Sequence, residues 1–226
     1  MFGAAGHAKV LLDILRLVGG IVIAGLVDDF KPVGYKCLGF EVVGGLGALS
    51  ALAKDLGDPA VVMGVGDNWR RAQIVDEIRK QLPSTRFPTV IHPSAQIGSE
   101  VSIAEGTVIM AGSVVNAGSK IGPFCIVNTR SSLDHDSTMG EYSSLAPGVT
   151  TGGQVNIGAF SNIGLGATVL PSIRIGAHSV VGAGSVVVKP IPDHVIAYGI
   201  PAKAIRPRHN GDRYLSAVSE ETRNIG

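Results

Sequence analysis

From Ile91 to Val187 the chain repeats itself every six residues without a slip. The repeating positions are Ile91, Ile97, Ile103, Ile109, Val115, Ile121, Val127, Leu133, Met139, Leu145, Thr151, Ile157, Ile163, Val169, Ile175, Val181 and Val187. Sixteen of the seventeen are aliphatic or Met. Hydrophobic residues make up 45% of the chain, so chance does not hold such a frame. Gly follows directly at Gly98, Gly122, Gly140, Gly152, Gly158, Gly164, Gly176 and Gly182, and small residues such as Ser113, Ser119, Cys125, Ser131 and Ser179 stand four positions after an anchor. A period of six fits neither a helix nor a half-buried alternating strand. It is the signature of a parallel β-helix, in which each hexad supplies a short strand and a turn. Three hexads close one triangular coil, giving a little over five coils, with the anchors inside and glycines at corners that need φ > 0. Thr151, the one polar anchor, predicts a loosened corner beside Gly152 and Gly153.

Composition agrees with a fold that packs by regularity. Glycine accounts for 31 of 226 residues and aromatics for only 5%. Between Val90 and Val188 only eight residues are charged, which leaves the flat faces poorly suited to full solvation. The net charge of +1 gives no bulk attraction to nucleic acid or an anionic membrane. Two cysteines, Cys37 and Cys125, make neither a disulfide framework nor a Cys-rich zinc site. They read as small buried hydrophobes in a reducing compartment. The most membrane-like run, Leu17 to Val27, is 11 residues, too short to span a bilayer, and Asp13 and Arg16 block its extension. With no cleavable signal pattern, the expectation is a soluble, cytoplasmic protein without membrane insertion.

The first 86 residues read differently, as an α/β Rossmann-like domain. Gly3-Ala-Ala-Gly6-His7 is a glycine turn leading into an amphipathic stretch, Val10 to Val18. Ile21 to Val27 reads as a strand ending in Asp28-Asp29-Phe30. A second apolar run ends at Val43, Leu46 to Leu56 reads as a helix, Ala60 to Val65 as a strand ending in Gly66, and Trp69 to Leu82 as a helix. Such alternation implies a small parallel sheet with helices on both faces, binding ligands beyond the strands' carboxyl ends. Gly6, Asp28 and Gly66 fall there, and a helix starting after Gly6 would receive a phosphate. An ordinary strand-to-helix turn and a solvated Asp28-Asp29 turn read equally well from these residues. Only Met1 and Phe2 precede Gly3, where a strand of about five residues is usual: either the start is misassigned or the central strand is shortened. The expected division is residues 1–86, a nucleotide-sugar-binding domain; 87–206, the β-helix; and 207–226, a mobile tail or a cap on the last coil.

Within the charge-poor repeat, Asn128-Thr-Arg-Ser-Ser-Leu-Asp134-His135-Asp136 is conspicuous. A carboxylate beside an imidazole raises its pKa above ~6.5 and fixes its tautomer, as a general base requires. A merely polar surface corner is the competing reading. His7 is placed to touch phosphate. His92, His178, His194 and His209 read as structural or solvent-exposed. No three histidines are spaced to converge on a metal, so none is expected.

The repeat resembles the left-handed β-helix acyltransferases, and left-handedness comes from that resemblance. More narrowly, the chain from Gly3 to about Arg206 resembles the bacterial sugar acetyltransferases that include sialic acid O-acetyltransferases and nucleotide 4-amino-4,6-dideoxy-sugar N-acetyltransferases. The segments that carry this are Gly3 to Lys9, Val27 to Phe30, Gly64 to Asn68, Asn128 to Asp136 and Tyr198 to Lys203. The resemblance implies a homotrimer with active sites between prisms, acetyl-CoA as donor and a nucleotide-activated amino sugar as acceptor. It makes His135 the general base and Asp136 the residue that raises its basicity. Ala5, Gly6 and His7 match the nucleotide-binding turn, Asp28 and Asp29 lie near nucleobase and ribose, and Gly66 makes a backbone contact. Gly153, Leu165 and Ala183 fall where later coils line the coenzyme groove. Ser144 stands where a thioester-proximal histidine is expected in the N-acetyltransferase branch.

The mechanism implied is direct transfer, with His135 taking the proton of the acceptor as it attacks the thioester. The favoured expectation is N-acetylation in bacterial surface glycan synthesis. O-acetylation of a sialic acid or related sugar, and a catalytically silent nucleotide-sugar-binding scaffold, are the alternatives.

Overall fold

The computed structural model describes residues 1–57 and 59–214. Among them, seventeen two-residue strands run from β4 (Val90–Ile91) to β20 (Val186–Val187). As far as β17 (Thr168–Val169), each strand pairs in parallel with the strand 18 residues on, as Ile126 does with Ser144 and Val127 with Leu145. The result is three sheets around a prism: the first runs through Val90, Val108, Ile126, Ser144, Asn162 and Val180, the second through Gln96, Val114, Ser132, Thr150, Thr168 and Val186, and the third through Ser102, Lys120, Thr138, Asn156 and Arg174. The aliphatic hexad anchors from Ile109 to Val187 form one continuous core that includes Ile109, Leu133, Leu145 and Val187, all at 0% exposure, with Ile91 and Ile103 packed against it. Buried serines at the small positions donate to carbonyls one coil on, as Ser119 Oγ does to Asp134 O at 2.9 Å. This stacking is the reason those positions are small.

The glycines that follow the anchors do not have positive φ. They are required because a Cβ would strike the next coil: at Gly98 it would sit 2.6 Å from Ala117 N, and at Gly140 2.6 Å from Ala159 N. The left-handed corner lies three residues after the anchor. Much of it is taken by other residue types, including Phe124 (φ 55), Asp136 (φ 54) and Gln154 (φ 60).

The N-terminal domain has helices α1 (Gly6–Val18), α2 (Leu49–Asp55) and α3 (Asn68–Gln81). Strand β1 (Leu26–Val27) runs parallel to β3 (Phe40–Gly44), against which β2 (Lys36–Cys37) is antiparallel. Phe2 bridges Val27 on one side and Met63 on the other, both in parallel. The strands expected over Ile21–Val27 and Ala60–Val65 are therefore much shorter than their apolar runs. Phe2 is the residue that joins the two, and residues 21–25 and 60–62 carry few backbone bonds. Between them lies an apolar cavity of about 520 Å³, lined by Met1, Ile23, Val43, Leu52, Val62 and Val90 among others. Met1 N donates to Gly25 O at 2.9 Å.

α1 packs Leu11, Ile14 and Leu15 on Val90, Val108 and Ile126 of the first sheet. α3 packs Ile74, Val75 and Ile78 around Phe124 and Tyr142 at the neighbouring corner. There Phe124, Tyr142, Phe160, His178 and His194 stack ring on ring at 4.7–5.1 Å. His178 and His194 are thus structural members of a column. After β21 (Val195–Gly199) the chain returns antiparallel as β22 (Ala202–Pro207). The mobile tail expected beyond Arg206 is docked over residues 207–214. Arg208, 3% exposed, donates to His178 O, and the Tyr214 hydroxyl accepts from Asn68 N. Residues 215–226 lie outside the described residues. Among the described residues no helix is long and apolar enough to cross a membrane.

Candidate active site

His135 stands at the corner between the second and third sheets, across the prism from the sheet that carries the N-terminal domain. Its Nδ1–H donates to Asp136 Oδ2 at 2.8 Å, and that bond raises the imidazole pKa above its ordinary value. Nε2 is left with its lone pair outward, as a base needs. The backbone around it is fully held. His135 N donates to Asp134 Oδ1 (2.8 Å), Gln154 N to His135 O (2.8 Å) and Asp136 N to Ala117 O (3.0 Å). Asn116 Nδ2 also binds Asp134 Oδ1 (2.6 Å), and Asp134 N donates to Thr151 Oγ1 (3.0 Å). The corner beside Thr151 is therefore braced, not loosened, and Thr151 is 4% exposed.

Gly153 lies directly beneath the ring. A Cβ there would sit 2.6 Å from His135 Cε1 and closer still to Nε2. Gly153→Ala should displace the imidazole and lower kcat roughly a hundredfold, with little change in Tm. Steady-state kinetics and thermal melts check this.

Leu165 and Ala183 are exposed but belong to the corner between the first and second sheets, not to that of His135 and Gly153. Ser144 opens a strand of the first sheet and points its side chain into the domain interface. Its hydroxyl accepts from Asn162 Nδ2 (2.7 Å) and Asn68 Nδ2 (3.1 Å). Within one chain the four residues assigned to the coenzyme therefore do not meet. Cys125 is buried, and burial raises its thiol pKa, which makes it a poor nucleophile.

On the other side, α1 begins at Gly6 with no side-chain cap and no acidic residue in its first turn. Its first N–H groups are suited to an anion. A Cβ at Gly6 would meet nothing within 4 Å. Asp28 braces the turn, accepting from Ala4 N (2.7 Å), Phe30 N (2.8 Å) and Lys31 N (3.0 Å). Asp29 accepts from Leu46 N (2.7 Å) and approaches Arg70. The His7 ring is held near pKa 4 by burial, with Arg71 contributing, so it is neutral. Its Nε2 is buried with no partner among the described residues. Beside Asp29 a groove of about 640 Å³ is lined by Phe30, Trp69, Arg70 and Arg213 among others.

Sequence reading missed Arg71. It is fully buried, and its five N–H groups reach Phe124 O, Val65 O, Gly66 O, Asn68 Oδ1 and Tyr142 O. It fixes the Gly66 turn against the aromatic corner. An arginine inside a charged helix gives no signal of burial. The aromatic column does give one, in its 18-residue spacing. Among the described residues no three His, Cys, Asp or Glu side chains are grouped to hold a metal.

This architecture is that of a left-handed β-helix acetyltransferase. Residues 1–78 match the PglD N-terminal domain family. Caulobacter crescentus GDP-perosamine N-acetyltransferase, solved with CoA and GDP-perosamine, is 37% identical, with a TM-score of 0.85 over 91% of this chain and 95% of that one. The acetyltransferase domain of PglB from Neisseria gonorrhoeae, solved with acetyl coenzyme A, is 33% identical, with a TM-score of 0.82 over 90% and 97%. The UDP-N-acetylbacillosamine N-acetyltransferase of Bacillus subtilis is 38% identical over 115 residues, 48% of this chain and 49% of that enzyme's length. The chain belongs to the nucleotide 4-amino-sugar N-acetyltransferase family.

Proposed function

We propose that the protein transfers the acetyl group of acetyl-CoA to the amino nitrogen of a nucleotide-linked 4-amino-4,6-dideoxy sugar, for bacterial surface glycan synthesis. The observation that carries this reading is the His135–Asp136 pair, with Nε2 free on a rigid corner over Gly153. Similarity to enzymes solved with CoA and with GDP-perosamine supports both substrates. Neutral His135 removes the proton from nitrogen as the amine attacks the thioester carbonyl, and the imidazolium returns that proton to sulfur as the C–S bond breaks and CoA leaves as the thiol. No covalent intermediate is needed.

The nucleotide sugar lies on the N-terminal domain. Its diphosphate meets the start of α1 at Ala5, Gly6 and His7, and its base and ribose reach the Asp28–Asp29 turn and the adjoining groove. Gly66 contributes backbone. These groups and His135 occupy opposite sides of one prism, and Leu165 and Ala183 a third place. The site is completed by a neighbouring copy in a homotrimer, with the coenzyme between prisms. Ser144, bonded to Asn68 beside the Gly66 turn, belongs to the sugar side.

A panel of saturating amino and hydroxyl acceptors tests the reading. GDP-, UDP- and dTDP-linked 4-amino sugars are compared with free and CMP-linked sialic acid. Turnover of an amino sugar is expected, and turnover confined to hydroxyl acceptors would make the protein an O-acetyltransferase.

A further inference from the structure

On the second sheet the inward column runs Ile97, Val115, Leu133, Thr151, Val169 and Val187. After each anchor, the next N–H donates to the anchor carbonyl one coil on. Gly98 N reaches Val115 O (2.8 Å), Asn116 N reaches Leu133 O (2.9 Å), Gly152 N reaches Val169 O (2.8 Å) and Leu170 N reaches Val187 O (3.0 Å). At one rung, among the described residues, the pattern changes: Asp134 N donates to the Thr151 hydroxyl at 3.0 Å. The ladder is one pair shorter there as a result: Ser132 pairs with Thr150 but Leu133 does not pair with Thr151, with the register unshifted. A buried hydroxyl has thus replaced a backbone acceptor immediately before His135. The released segment is refixed by Asp134 itself, whose Oδ1 takes the His135 N–H and the Asn116 amide. An aliphatic anchor offers no such acceptor and would restore the ordinary rung.

We propose that Thr151 is a positioning residue for the general base: its hydroxyl sets the Asp134–Asp136 corner so that His135 lies over Gly153 and bonds Asp136. This rests on the reading of His135 as base. It explains why the only polar anchor of the repeat lies one coil beyond the only His–carboxylate ion pair among the described residues. Thr151 is buried inside the prism, so it acts through Asp134 and His135.

The test compares Thr151→Val, which keeps shape and removes the acceptor, with Thr151→Ser, which keeps the hydroxyl. Thr151→Val should lose tenfold or more in kcat, with both KM values within about twofold and Tm equal or higher. Thr151→Ser should stay within about threefold of the parent. The His135 imidazole, titrated by NMR without substrate, should fall toward 6.5 in the valine variant only. A valine variant with parental kcat and parental imidazole titration would overturn the proposal, as would a serine variant impaired as much as valine. Thr151→Ala gives the same comparison if valine does not fold. If the parent acetylates no acceptor, the proposed function fails, and the imidazole titration still decides the role of Thr151.

Discussion

His135→Ala should lower kcat by 10²–10⁴-fold while KM for each substrate and the melting temperature change little. The side chain is exposed and bonded only to Asp136, so its removal leaves no buried group unpaired. The corner keeps its backbone bonds to Asn116, Thr151 and Gln154 by way of Asp134 and the His135 carbonyl. The loss is therefore of proton transfer alone. Asp136→Asn should act on the same step in a graded way. Asp136 raises the His135 pKa, so in the parent the neutral base is lost as pH falls through a value above 6.5. The asparagine variant should keep a neutral imidazole to lower pH, shifting the acid limb of kcat/KM downward. It should also lower the plateau, because the imidazolium formed in the transition state loses its partner. A pH–rate profile across that limb checks both signs.

Mixed oligomers should recover activity from two silent parents. Within one chain, the start of α1 and the Gly66 turn lie on the side of the first sheet and its aromatic corner. His135 lies at the opposite edge. A chain with His135→Ala still offers its nucleotide-sugar face, and one blocked at Gly6, for instance by Gly6→Asp, still offers its base. The aspartate places negative charge where a diphosphate must sit. Each parent alone should fall a hundredfold or more. Co-refolded or co-expressed, they should regain a substantial fraction of parental turnover, since some interfaces then combine an intact face from each chain. Titrating one variant against the other and measuring turnover per chain gives the test. Mixtures that remain as silent as their parents would place the whole site in one chain.

How much of this was legible beforehand depended on whether a feature is periodic or tertiary. The β-helix follows from a frame that never slips, and the aliphatic anchors from Ile109 to Val187 are the observed core, while Ile97 in the outermost coil is 39% exposed. The His135 cluster was visible because charge is scarce around it. Thr151 was visible as an exception, but its meaning was not. That a hydroxyl takes over a ladder bond is a matter of one rung's geometry, and the loosened corner it suggested is instead a braced one. The glycines after the anchors were read as conformational, whereas the next coil's backbone is what excludes a side chain. In the N-terminal domain the apolar runs overstated the strands, because a strand's length is set by the residues that pair with it, and here it is Phe2 that bridges Val27 and Met63. Arg71 was illegible because its partners are carbonyls, which every residue carries. The separation of Gly153 from Leu165 and Ala183 was illegible for a related reason: positions 12 and 30 apart in a six-residue repeat share a phase within the hexad yet fall on different corners of a three-sided coil.

The most direct test of the account is the rate of free-thiol release from acetyl-CoA by the purified protein, with and without a nucleotide-linked 4-amino sugar, with the product characterised at its nitrogen. The account predicts release that depends on the amino sugar, matches amide formation one for one, and disappears in His135→Ala. Release unaffected by the His135 substitution, or no amide with GDP-, UDP- or dTDP-linked 4-amino sugars, would contradict it.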